Sequence, residues 1–209
     1  MARVDIGRGA AARTLARYID NEGRQALQRK QTMTQLEMRY EPDPVLREKA
    51  RRVKVFDAKL RKLAEDMFET MHANVGVGLA APQVGLPIRL LVAEHTPDPE
   101  DGADHGFRVA LVNPEIVKAS DEMDVGPEGC LSIPGWVGEV PRHTSVTVKG
   151  QTPEGKEVRI KAEHYYARVL QHEIDHLNGI LFTDRVTDLN TLRRIDPHAD
   201  EEEVQLLEV

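Results

Sequence analysis

Between positions 60 and 71 the apolar residues Leu60, Leu63, Ala64, Met67, Phe68 and Met71 recur at intervals of three and four. With Asp57 standing where an N-cap belongs, the pattern predicts a core-facing amphipathic helix from Asp57 to Asn74. Upstream, Asp43-Pro44 reads as an N-cap with proline at the first helical position, opening a short helix through Val45-Leu46 that ends near Arg51. The apolar run Ile88–Ala93 predicts a strand, and Val109–Val117 a second one interrupted at Asn113-Pro114. Val146 and Val148 alternate with polar neighbours, as do Val158 and Ile160 after Pro153-Glu154-Gly155, which together predict a β-hairpin. From about Glu163 to Asn178 the period is helical again, and Gly179 is the stop signal. There is no internal repeat and no low-complexity stretch.

Length changes this picture little: 209 residues fit one compact domain with appendages. No window reaches the 18 or so apolar residues that a membrane helix needs, which argues against a spanning protein. Charge changes it more. The net charge of −7 argues against gripping nucleic acid, DNA included, by bulk electrostatics, yet residues 1–32 carry seven basic and three acidic side chains. Lacking the apolar stretch of a secretory signal, this segment reads as a basic cytoplasmic extension, with Met33 a candidate initiator. The expected organisation is extension 1–32, catalytic domain 33–186, and a C-terminal segment 187–209 whose Asp200–Glu203 run is a solvated acidic tail. The single cysteine, Cys130, excludes an internal disulfide and fits a reducing compartment. It is buried filler, a nucleophile or a metal ligand.

The last predicted helix carries candidate chemistry. His172-Glu173-Ile174-Asp175-His176 is an H-E-x-x-H motif, and i, i+4 spacing puts both imidazoles on one face, within reach of a single metal ion. Tyr166, Val169, Ile174 and Leu177 form an apolar stripe with Glu173 in its middle. A carboxylate in a core face is costly unless it has a task, and burial raises its pKa toward neutrality, as a proton shuttle requires. The bland alternative is a surface helix with two solvated histidines. Two histidines leave a metal short of ligands. Phe182 stands where an extended metzincin pattern has its third histidine, and the acidic tail is a poor place for a rigid glutamate ligand. Cys130 is the remaining candidate, and spacing alone does not choose between ligand and small buried hydrophobe.

Three blocks stand in one order: Gly76-Val77-Gly78-Leu79-Ala80-Ala81-Pro82-Gln83, Glu128-Gly129-Cys130-Leu131-Ser132, and Gln171-His172-Glu173-Ile174-Asp175-His176. Together, over about residues 38–186, they resemble the three signature motifs of the peptide deformylases. The resemblance implies an α+β fold, with antiparallel β-sheets packed around a central helix carrying the H-E-x-x-H motif and with an N-terminal amphipathic helix. It implies removal of the formyl group from the formyl-methionine of new bacterial-type polypeptides, in the cytoplasm and with transient ribosome contact. Cys130, His172 and His176 are then the ligands of one divalent metal ion, Fe²⁺ in the cell with Ni²⁺, Co²⁺ or Zn²⁺ as substitutes, and water is the fourth ligand. Ligand softness alone does not single out that metal.

The same resemblance gives Glu173 the role of proton carrier and makes Gln83 and the Leu131 N–H the oxyanion donors. Val77, Gly78, Gly129, Tyr165, Arg168 and Val169 are expected at the substrate. Gly76 and Gly78 remove side chains beside the site, leaving room for an extended peptide; the alternative is a plain turn. Glu128 and Arg142 are expected to pair, either to orient the Cys130 loop or as a surface bridge. Trp136, in the Gly135–Gly138 stretch, covers the groove or simply packs. Two rival readings share the motif: a zinc endopeptidase, and a binding module with a structural metal.

Overall fold

The computed structural model describes residues 35–95 and 106–195. The basic extension 1–32, Met33 and the acidic tail lie outside the described residues. Helix α1 spans Ala58–Ala73, and the Asp57 carboxylate accepts from the Lys59 and Leu60 N–H groups, as the pattern predicts. The short helix expected from Asp43 to Arg51 is a single 3-10 turn, Pro44–Arg47. Asp43 caps it, but the Ala50 and Arg51 N–H groups donate to the Leu177 and Pro87 carbonyls. Tertiary hydrogen bonds thus take the backbone donors that a longer helix would satisfy internally.

Eight strands follow among the described residues: β1 Gly78–Ala80, β2 Leu90–His95, β3 Phe107–Ala119, β4 Met123–Glu128, β5 Trp136–His143, β6 Ser145–Gln151, β7 Glu157–Glu163 and β8 Arg193–Arg194. They form two antiparallel sheets, ordered β1-β2-β3-β6-β7 and β4-β5-β8. The β6–β7 hairpin is the one expected, with Gly155 at φ +85° in its turn. The interruption expected at Asn113-Pro114 is a bulge: the ladder to β6 breaks between Val112 and Glu115, while β3 continues as one strand. Asn113 takes φ +53°, and its side-chain amide exchanges hydrogen bonds with Val53 N–H and C=O and donates to Gln151. Proline's missing N–H is tolerated where the ladder is already broken.

The apolar run in β2 reflects a sheet covered on both faces. Leu90 and Val92 join Leu60, Met67 and Met71 of α1 in one cluster. Leu91, with Leu111, Val146 and Val148, meets Leu170, Ile174 and Leu177 on the other side. Leu170 and Ile174 belong to helix α2, His164–His176, which stops before Gly179 at φ +73°. A Cβ at Gly179 would also meet the Arg47 backbone carbonyl carbon at 2.8 Å. Helix α2 touches strands of both sheets, and every residue from Ala167 to His176 is buried.

Candidate active site

At 100° per residue, three faces of α2 do three jobs. Leu170 and Ile174, with Leu177 beyond the helix end, pack on the large sheet. Val169 lies in a small cluster with Val77, Ala93 and Tyr165, and Glu173 one turn later reaches Gly78 of β1. Arg168, His172 and Asp175 face the β4–β5 pair. The helix is therefore buried all round, rather than along the single stripe that the sequence suggests. Cys130, in the loop after β4, completes the group: its Sγ lies 3.2 Å from His176 Nε2, which lies 3.2 Å from His172 Nε2. All three candidate ligand atoms fall within 4.8 Å of one another.

The donor set fits a metal ion. Glu128 is fully buried and pairs with arginine, so it accepts from the His172 Nδ1–H at 2.9 Å. That leaves the Nε2 lone pair of a neutral ring turned to Cys130 and His176. Burial opposes a charge on His172, but hydrogen bonds and fields from Cys130 and Glu128 outweigh it and raise the pKa to about 10. His176 goes the other way, pushed well below its usual range by burial and then by the charge of His172, which preserves its lone pair. One sulfur and two imidazoles with a position left over match the catalytic rather than the structural arrangement.

Glu173 is 1 % exposed, and burial pushes its pKa up to about 7. Its Oε2 has no hydrogen-bond partner among the described residues. Space for it comes from Gly78, where a Cβ would stand 2.8 Å from the Glu173 carboxyl carbon; a Cβ at Gly76 would stand 2.6 Å from Leu131 Cδ1. The two glycines thus first make room for the site's own side chains, a different reason from open space for a peptide. Gln83 is also buried; its Oε1 accepts from the Ala80 N–H at 2.7 Å, which turns Nε2 toward Cys130 Sγ at 3.6 Å. The Leu131 N–H has no backbone partner among the described residues.

The Glu128–Arg142 pair is buried and two-pronged, at 2.8 and 2.9 Å, so the surface alternative falls away. Burial opposes ionisation of Glu128, but hydrogen bonds from Arg142 and His172 overcome it and hold the pKa at about 2. The Arg168 guanidinium bonds Glu128 and the Asp124, Gly126 and Val140 carbonyls. Its charge is spent there, so only its aliphatic stem is left to offer a substrate. Tyr165, Gly126 and Arg168 line a cavity of about 760 Å³ between β4 and the start of α2. Gly129 is buried beside Cys130, and Trp136 is partly exposed, with Arg194 over its ring. Sequence reasoning missed Asp175 and Gln171 as working residues. Gln171 pins β5 by accepting from the His143 N–H and donating to its carbonyl, and Asp175 binds Arg142 and Arg185. The signal for Asp175 was its spacing of seven from Arg168, on the face of His172.

Residues 35–192 match the family model for polypeptide deformylase. A peptide deformylase of Thermomicrobium roseum is 55 % identical over 163 residues, covering 78 % of this chain and 90 % of the relative. One from Symbiobacterium thermophilum is 50 % identical over 177 residues, 85 % of this chain and 77 % of the relative. Among solved structures, the Thermotoga maritima peptide deformylase aligns at TM-score 0.67 with 43 % identity, over 74 % of this chain and 99 % of that one. A class I type b enzyme from Acinetobacter baumannii, solved with Met-Ala-Ser bound, aligns at 0.69 with 38 % identity over the same shares. With its three motifs gathered around one Cys-His-His cluster, this chain belongs to the peptide deformylase family.

Proposed function

We propose that Glu173 is the proton carrier, and Gln83 and Leu131 the oxyanion donors, in the reaction this enzyme shares with its family. That reaction is hydrolysis of the formyl group from the formyl-methionine of new polypeptides, with release of formate. Cys130, His172 and His176 would hold one divalent metal ion, which when bound would supply Lewis acidity for activating water and polarising the formyl group. Glu173 takes a proton from the attacking water and passes it to the departing amine, which leaves readily only when protonated. As the C–N bond breaks, the hydroxyl oxygen stays with the formyl carbon and departs as formate. Gln83 Nε2–H and Leu131 N–H donate to the oxygen that becomes negative, each worth roughly 3–4 kcal/mol.

For the substrate, β1 is the outer strand of its sheet, so the free edge at Val77-Gly78 supports pairing with an extended peptide opposite Gly129. Tyr165, Val169 and the stem of Arg168 receive the methionine side chain. We read the fold as sheets wrapped around α2, with α1 as the N-terminal amphipathic helix and residues 33–186 as the catalytic unit. Contacts of α2 with both sheets support this reading. Fe²⁺ is the proposed metal, with Ni²⁺, Co²⁺ or Zn²⁺ as substitutes; a thiolate with two imidazoles suits all of these borderline ions. The cytoplasm, where nascent chains emerge, is the proposed location. No described helix is long and apolar enough to cross a membrane.

Transient ribosome contact is proposed through one strip. Eight of the sixteen residues from Arg47 to Lys62 are basic, against Glu48 and Asp57. Arg51, Arg52, Lys54 and Lys59 line a shallow groove whose walls include no carboxylate. Such a strip suits RNA phosphates despite a negative chain. Lys54→Glu with Lys59→Glu should weaken salt-sensitive cosedimentation with ribosomes; unchanged binding excludes this face.

The observation that carries the functional reading is the convergence of Cys130, His172 and His176 within 4.8 Å, beside a buried carboxylate on the same helix. Anaerobic reconstitution with Fe²⁺ should give formate from a formyl-Met-Ala-Ser peptide and no cleavage of internal peptide bonds. No formate from fully loaded protein overturns it.

A further inference from the structure

We propose that Arg185 is a positioning residue for the metal centre, acting at the far end of a chain of ion pairs. The chain starts at a ligand. His172 Nδ1 lies 2.9 Å from Glu128 Oε2, and Arg142 grips both Glu128 oxygens. The third nitrogen of Arg142, Nη1, reaches Asp175 Oδ2 at 2.5 Å. Arg185 then grips Asp175 with both prongs, Nε to Oδ2 at 3.0 Å and Nη2 to Oδ1 at 2.7 Å. Glu128, Arg142 and Asp175 are all buried, whereas the Arg185 side chain is 44 % exposed, so the chain runs from a ligand to solvent.

Asp175 sits between two guanidinium groups, and its position decides how Arg142 stands. Without Arg185, Asp175 Oδ1 loses the donor it has among the described residues, and the carboxylate is free to rotate and carry Arg142 with it. Arg142 holds the plane of Glu128, and Glu128 holds the His172 ring. A tilt passed along this path misaims Nε2, and such outer contacts matter because they fix ligand tautomer and direction. Local packing couples Arg185 to the same centre. Its N–H donates to the Phe182 carbonyl, and the Phe182 ring lies nearly parallel to His172 with centroids 6.4 Å apart. Asp175 belongs to the H-E-x-x-H motif without being a ligand or a base; it joins Arg142 to Arg185.

The inference rests on Cys130, His172 and His176 holding the ion, and the test separates the two. Wild-type enzyme and Arg185→Met are loaded with Co²⁺, and release to a chromogenic chelator is timed while the sulfur-to-cobalt absorption is followed. Arg185→Met should release Co²⁺ about tenfold faster, the low end for residues behind ligands. Its absorption band should shift, and its metal-free melting temperature should stay near wild type. Arg185→Lys keeps the charge but not the two-pronged grip, and should recover less than half of the loss. Asp175→Asn should release faster too, and adding Arg185→Met to it should change little further. Wild-type release and spectrum in Arg185→Met, full recovery with lysine, or additive loss in the double variant each overturn the proposal. Failure of wild type to take up Co²⁺ would instead overturn the ligand assignment.

Discussion

Glu173 and Gly78 constrain each other more tightly than any other pair in the site. The carboxyl group fills the volume that a Cβ at position 78 would need. Gly78→Ala should therefore displace the proposed proton carrier and lower kcat by at least ~100-fold, the usual contribution of a positioned base, with metal content unchanged. Steady-state kinetics alongside metal analysis checks this. His172, Glu173 and His176 were legible because their spacing alone places them on one helix. The oxygen-side partners were not: Glu128 lies 44 residues from His172, and Arg142 lies 33 from Asp175. No local pattern links such pairs, and the Glu128–Arg142 contact stood equally well as a surface bridge until burial decided it.

Among the elements, the best-read ones have a cap and a period. Asp57 opens α1 as expected, and Gly179 closes α2 in the left-handed conformation. Strands β4 and β5 were missed because β4, Met-Asp-Val-Gly-Pro-Glu, is mostly exposed and shows no alternation. β4 is held by its ladder with β5 and by Arg168 of α2, which donates to the Asp124 and Gly126 carbonyls. The break expected in β3 is local to the ladder and does not end the strand. Asn113 replaces lost ladder bonds with three side-chain bonds that tie β3 to Val53 and Gln151. Asn113→Ala should destabilise the protein by about 2–3 kcal/mol, since it strips partners from the partly buried Val53 backbone and puts alanine at positive φ. Urea unfolding of the metal-free protein measures it.

For the whole molecule, the ion pairs around Glu128 link stability to pH. Hydrogen bonds from Arg142 and His172 depress the Glu128 pKa from 4.5 to about 2, so its contribution is present above pH 4.5 and is lost as the pH falls through about 2. Compared with Glu128→Gln, metal-free wild type should be more stable at pH 7 by about 3 kcal/mol, and this gap should close between pH 4.5 and 2. Denaturant midpoints at several pH values follow it. Net charge alone gave no hint of this buried network, just as it hid the basic strip at Arg47–Lys62. The sheets, the helix and the ion pairs all serve to hold one carboxylate beside one Cys-His-His cluster, and Glu173→Gln tests that directly. With both proteins matched for bound metal, the variant should lose formate release from a formyl-methionyl peptide by 10²-fold or more. Wild-type turnover in a fully metal-loaded Glu173→Gln enzyme would contradict the account.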